Sequence, residues 1–221
     1  MACFAFVLTV WVFSVCLHEF GHAWVAERGG DYTVRDKGYL TMNPVYYTHP
    51  FLSFVLPIIY MLWGGIGLPG GAVYIEKNLL RSRSWETAVS LAGPAMNLIL
   101  VIIITLILRI ALIPHIPEHL ATYSMAFLLQ LQISAILFNL IPIPPLDGFQ
   151  AIEPWLPMHV KEQIRPLWSY GTFILFIAFF RIPALNGAFW GTIDFLTSLL
   201  GIDPYYAGQG LRAFQFWRQW E

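Results

Sequence analysis

His18 and His22 stand four residues apart in the run His18-Glu19-Phe20-Gly21-His22. If the run is helical, residues i and i+4 project from one face, and both imidazoles can offer a nitrogen to the same metal ion. At 100° per residue, Glu19 lies about 100° round from His18 and about 60° from His22. It can therefore reach a water on that metal without being a ligand. This H-E-x-x-H spacing supplies two ligands and a proton acceptor, the parts needed for metal-assisted hydrolysis. Neutral imidazoles suit Zn²⁺, and a catalytic zinc site takes three protein ligands and keeps a fourth position open.

The surroundings sharpen this reading. The pattern follows 17 residues without a charge, and a charged side chain at mid-bilayer costs about 2.5–3.5 kcal/mol on insertion scales. In a soluble helix the same five residues also arise by chance. In an apolar helix, unpaired His and Glu are expensive, which favours a metal site. A third ligand is then required. Asp147 is the sole carboxylate between Glu118 and Glu153, and it closes the stretch Asn139-Leu-Ile-Pro-Ile-Pro-Pro-Leu-Asp147-Gly148. Pro142, Pro144 and Pro145 cannot continue a regular helix, and opened backbone at membrane depth is tolerated only around a cavity or protein interior. Gly148 lets the chain pass close to a neighbour. The alternative for Asp147 is a turn carboxylate that caps the following helix.

These residues need elements to carry them, and composition says of what kind. Of 221 residues, 57% are apolar and 11% charged, against about 25% charged in an ordinary soluble domain. The 38 residues from Gly38 to Ile75, the 22 from Thr87 to Leu108 and the 28 from His119 to Leu146 contain no Asp, Glu, Lys or Arg. Each exceeds the roughly 18 that flag a membrane span. A soluble domain, a disordered chain, a collagen and a disulfide scaffold are all excluded. The net charge of −1 and the lack of a long basic block leave no footprint for nucleic acid. Cys3 and Cys16 read as lipid-facing or packed thiols.

Spanning helices are expected near 2–26, 86–110 and 119–141, ending at Gly29-Gly30, Pro114 and Pro142. The first run passes into His18 with no small-residue cleavage site, so it reads as a retained membrane helix. Pro166 to Phe180 and Ile182 to Ile193 add one broken or two further spans. The expected class is an all-α polytopic membrane protein of about five spans. It forms a single domain over 1–221, with a catalytic core of about 1–150 and C-terminal helices over 160–221. Asp31 to Tyr47, rich in Tyr, Thr and Val, reads as short strands and turns. Phe51 to Leu68 is apolar enough to span but carries Pro57, Gly64, Gly65 and Gly67, and a re-entrant segment is the preferred reading. The tail Leu211 to Trp220 reads as an anchor at headgroup level.

Orientation follows from Lys and Arg, which collect on the cytoplasmic side. With five spans, ten of them share one side and leave Arg109 and Arg181 opposite; with four, the split is eight against four. Either way the 27–85 loop is cytoplasmic. The first helix then carries its histidines towards that face and the third returns Asp147 to it.

The chain resembles the site-2 protease family of intramembrane zinc metalloproteases. The resemblance rests on His18-Glu19-Phe20-Gly21-His22-Ala23, on Ala92-Gly93-Pro94-Ala95-Met96-Asn97 and on Asn139 to Gly148. Gly38-Tyr-Leu-Thr-Met-Asn43-Pro44 looks like the strand and turn of compact prokaryotic members. The second and third spans are joined by only about eight residues, too few for an inserted PDZ domain. The resemblance implies one Zn²⁺ held by His18, His22 and Asp147, Glu19 as general base and acid, and Asn139 holding substrate backbone in extended form. It implies hydrolysis of a membrane-spanning protein substrate in a prokaryotic cell membrane, at a site facing the cytoplasm. Asn97 reads as structural, bonding between helices. Where compact members carry a His and an Asp, Tyr47 and His49 stand here. His115, His119 and His159 read as bystanders. Two other classes remain: a catalytically silent membrane-protein-binding pseudoprotease, for which Glu19 would be superfluous, and a metal transporter, for which one ligand cluster is a poor conduit.

Overall fold

The computed structural model describes residues 1–46 and 73–217, and among them every regular element is helical. Helix α1 spans Ala2–Gly29, α2 Thr33–Asp36, α3 Arg83–Ile107 and α4 Leu120–Asn139. The ends are chemically marked. Gly30 closes α1 in the left-handed region at φ 118°, Ser82 caps α3 by accepting from the Trp85 N–H, and His119 caps α4 through the Ala121 N–H. A wider turn over Leu108–Leu112 extends α3. These three helices have the length and apolarity to cross a membrane, at 28, 30 and 20 residues, and they fall within a few residues of the expected spans.

The packing is inside-out relative to a soluble bundle. On α3, Asn97, Val101, Ile104 and Leu108 are buried, while Leu98, Ile99, Ile102, Ile103 and Leu106 are exposed. An apolar face this continuous is explained by a hydrocarbon solvent. Inside, one apolar cluster gathers Val7 and Trp11 with Val101, Phe127 and Leu131, and a second gathers Cys16, Ala23 and Ala26 with Val34 and Val89. The buried polar residues Ser14, His18, Glu19 and His22 occupy α1 where one cluster gives way to the other.

Beyond α4 come α5 (Asp147–Ile152), α6 (Met158–Ile164), α7 (Gly171–Arg181), α8 (Pro183–Leu199) and α9 (Pro204–Phe214). The segment that carries Asp147 is fastened to the start of α3. The Thr87 hydroxyl donates to the Ala151 carbonyl at 2.7 Å and accepts from the Trp155 indole N–H at 2.9 Å, while Lys77 pairs with Glu153 at 2.7 Å. A Cβ on Gly148 would stand 2.2 Å from the Leu140 carbonyl oxygen, so the close approach expected at Gly148 is to the end of α4.

Several expectations are corrected. Residues 31–46 form no strand. The buried Asp31 carboxylate accepts from the Thr33 N–H and hydroxyl, which starts the helical turn α2 instead of an extended chain. The stretches expected to add one broken or two further spans form α7 and α8, of 11 and 17 residues, and neither is among the three described helices long and apolar enough to cross a membrane. The tail is more than a headgroup anchor: Phe214 is buried against Phe4 and Phe127. Cys3 and Cys16 are both packed. Phe51 to Leu68, Tyr47 and His49 lie outside the described residues.

Candidate metal centre

Helix geometry brings the two histidines together, and the proline-rich turn brings Asp147 to them. His18 Nε2 and His22 Nε2 are 3.1 Å apart. Asp147 Oδ2 lies 3.2 Å from the first and 3.5 Å from the second. Ligand bonds of about 2.0–2.2 Å at tetrahedral angles would place donor atoms roughly 3.3 Å from one another, so the triangle has the dimensions of one face of a zinc tetrahedron. All three residues are buried. Among the described residues they are the single group whose donor atoms converge in this way.

The protonation pattern fits a cation as well. His22 Nδ1 lies 2.7 Å from the Val89 carbonyl oxygen, which can only accept, so Nδ1 carries the hydrogen and Nε2 presents its lone pair. His18 Nδ1 bonds Asn97 Oδ1 at 2.6 Å. Asp147 Oδ2 is buried with no hydrogen-bond donor of its own. Such a cluster of acceptors requires positive charge at its centre, as a proton or as a metal ion.

The floor of the site is α3 backbone. A Cβ on Gly93 would stand 2.3 Å from His22 Nε2 and 2.5 Å from His18 Nε2. Because that Cβ is missing, the Nε2 edges of both imidazoles approach α3 closely, and His22 reaches the Val89 carbonyl.

The model of peptidase family M50 matches residues 4–123. The chain belongs to this family, the site-2 proteases. Three relatives whose names designate them zinc metalloproteases are similar over most of its length. Rip2 of Mycolicibacterium smegmatis is 41% identical over 98% of this chain and 82% of its own, and Rip2 of Mycobacterium tuberculosis strain H37Rv is 40% identical over the same shares. YwhC of Bacillus subtilis is 32% identical over 83% of each chain. No solved structure matches. The protease names give the catalytically silent alternative no support.

In this M50 metallopeptidase the remaining expected residues fall as follows. Glu19 is buried within electrostatic reach of His18, His22 and Asp147, beside the Val73 backbone, and is not one of the three converging donors. Asp147 is the first residue of α5, whose N-cap is Leu146. Asn139 ends α4, half-buried, and its side chain has no hydrogen bond among the described residues. Asn97, read as structural, bonds a histidine of the site. Gln132, Ser14 and Asp31 went unnoticed in the sequence; the first two are polar interruptions of apolar spans, which is the signal that could have found them.

Proposed function

We propose that this chain is an intramembrane zinc endopeptidase that cuts membrane-spanning proteins. His18, His22 and Asp147 are the metal ligands, Glu19 the general base, and Asn139 a contact for substrate backbone. The observation that carries this reading is the meeting of His18 Nε2, His22 Nε2 and Asp147 Oδ2 in a buried setting. Zinc bound there supplies a Lewis acid for the scissile carbonyl and makes water acidic enough to attack near neutral pH.

The chain's own residues do the rest. Glu19 takes a proton from the attacking water as the carbon–oxygen bond forms, and returns it to the leaving nitrogen as the carbon–nitrogen bond breaks. A helical substrate hides its peptide groups in i to i−4 hydrogen bonds, so it must unwind before attack. Pro and Gly in the substrate ease that step. Asn139 offers both a donor and an acceptor to the unwound strand.

The reading makes the chain a multi-pass protein of a prokaryotic cell membrane with its site towards the cytoplasm. Arg28, Arg35, Lys37, Lys77, Arg81 and Arg83 cluster where α1 ends and α3 begins, as the positive-inside rule requires.

The test measures zinc in the purified protein and then cleavage of a model transmembrane substrate by wild type and Glu19→Gln. About one zinc per chain in both proteins is expected, with the rate falling by roughly 10²–10⁴ in the variant. Stoichiometric zinc with no cleavage by wild type, or full activity in Glu19→Gln, overturns the reading.

A further inference from the structure

We propose that Gln132 is a positioning residue for the metal centre: acting through Asn97, it dictates which nitrogen of His18 bears hydrogen and so keeps Nε2 free for the ion. This rests on the metal-site reading above.

Four polar groups from three helices form one line. The Ser14 hydroxyl donates to the Trp11 carbonyl at 2.7 Å, Gln132 Nε2 donates to Ser14 Oγ at 3.1 Å, and Asn97 Nδ2 donates to Gln132 Oε1 at 2.9 Å. Asn97 Oδ1 then lies 2.6 Å from His18 Nδ1. Ser14, Gln132 and Asn97 are 2%, 1% and 4% exposed, too enclosed for water to substitute a partner.

The direction of the line is fixed at its far end. An amide turned end for end keeps its shape, so Asn97 taken alone could show His18 either its oxygen or its NH₂. A backbone carbonyl, however, only accepts. The Ser14 hydroxyl points its proton at the Trp11 carbonyl at 2.7 Å, and so accepts from Gln132. Gln132 must therefore turn its oxygen to Asn97, and Asn97 must turn its oxygen to His18. Nδ1 of His18 carries the hydrogen, and the neutral ring has its lone pair on Nε2. His22 obtains the same result directly from the Val89 carbonyl. His18 obtains it through three side chains.

An apolar residue at 132 removes the group that orients Asn97. Asn97 can then turn its NH₂ to His18 Nδ1, which sends the ring hydrogen to Nε2, where it competes with the metal. Gln132→Met keeps the volume and loses the oxygen. Gln132→Glu still accepts from Asn97 and should preserve the orientation.

The experiment uses the purified full chain in detergent as wild type, Gln132→Met and Gln132→Glu. Zinc affinity is read by chelator competition, the Co²⁺ absorption spectrum reports ligand geometry, and ¹⁵N spectra of the His18 ring locate its hydrogen in the metal-free protein. The Met variant should bind zinc about 10–100-fold more weakly, show a changed cobalt spectrum and lose the hydrogen from Nδ1. The Glu variant should match wild type on all three. Equal weakening in both variants, or Nδ1 bearing hydrogen in all three proteins, overturns the proposal. If wild type binds no zinc, the metal-site reading fails, and the ring spectra still decide the role of Gln132.

Discussion

His18 Nε2 and Asp147 Oδ2 lie 3.2 Å apart although α3 and α4, two helices long and apolar enough to cross a membrane, separate them in the chain. With His22 Nε2 within 3.5 Å of both, three electron-rich atoms share one buried space. That arrangement is stable only around a positive charge.

Asp147→Asn tests this relationship. The amide fills the same volume but carries no charge. Zinc affinity should fall by more than the roughly 100-fold typical of losing a supporting residue, and α5 should stay docked through Thr87, Trp155 and Lys77. Chelator competition reads the affinity. Undiminished zinc binding would remove Asp147 from the ligand set.

Gly93→Ala separates helix propensity from site geometry. In a helix interior, Ala is favoured over Gly by about 1 kcal/mol, so propensity alone predicts a more stable protein. The added Cβ would sit 2.3 Å from His22 Nε2, which must push the imidazoles off α3. Loss of bound zinc and of cleavage is expected from a protein that still folds. A zinc-replete, active variant would show that the floor can give way.

Asp31→Asn probes the clip behind the site. Asp31 is fully buried; its carboxylate accepts from Thr33 and, at 2.8 Å, from the Glu76 N–H. This ties the end of α1 to the stretch that leads from Val73, the backbone beside Glu19. An amide at 31 places an NH₂ against one of these donors and should cost about 1–3 kcal/mol. Unfolding in detergent and proteolysis between 73 and 82 would both register it. Unchanged stability and protection would mean that the clip carries no load.

Orientation can be read at the two ends of one helix. Arg83 begins α3, and Glu118 follows its extension; both are exposed. With the native thiols Cys3 and Cys16 buried, an Arg83→Cys variant should be labelled from the cytoplasmic side and Glu118→Cys from the outer side by a membrane-impermeant reagent. The reverse pattern would place the site on the outer face.

Much of the site was legible because its first part is local. The i, i+4 spacing puts His18 and His22 on one helix face whatever the rest of the chain does, and the apolar runs that set α1, α3 and α4 are equally local. Asp147 was found by elimination, since a carboxylate without competitors beside three prolines has few other uses. Between Asp31 and Tyr47 the residue types favoured strands, but the hydrogen bonds of Asp31 to Thr33 outweighed them.

What the sequence determined by itself was thus the pair of imidazoles, the neighbouring carboxylate of Glu19 and the helices long and apolar enough to cross a membrane. Tertiary structure decided that Asp147 folds back to those imidazoles, that Gly93 is their floor, and that Asn97, Gln132 and Ser14 line up behind His18. The bonds involved join residues 79, 35 and 118 positions apart. Helical periodicity relates residues one or two turns apart, whereas these contacts depend on how three helices rotate against each other, and packing alone sets that.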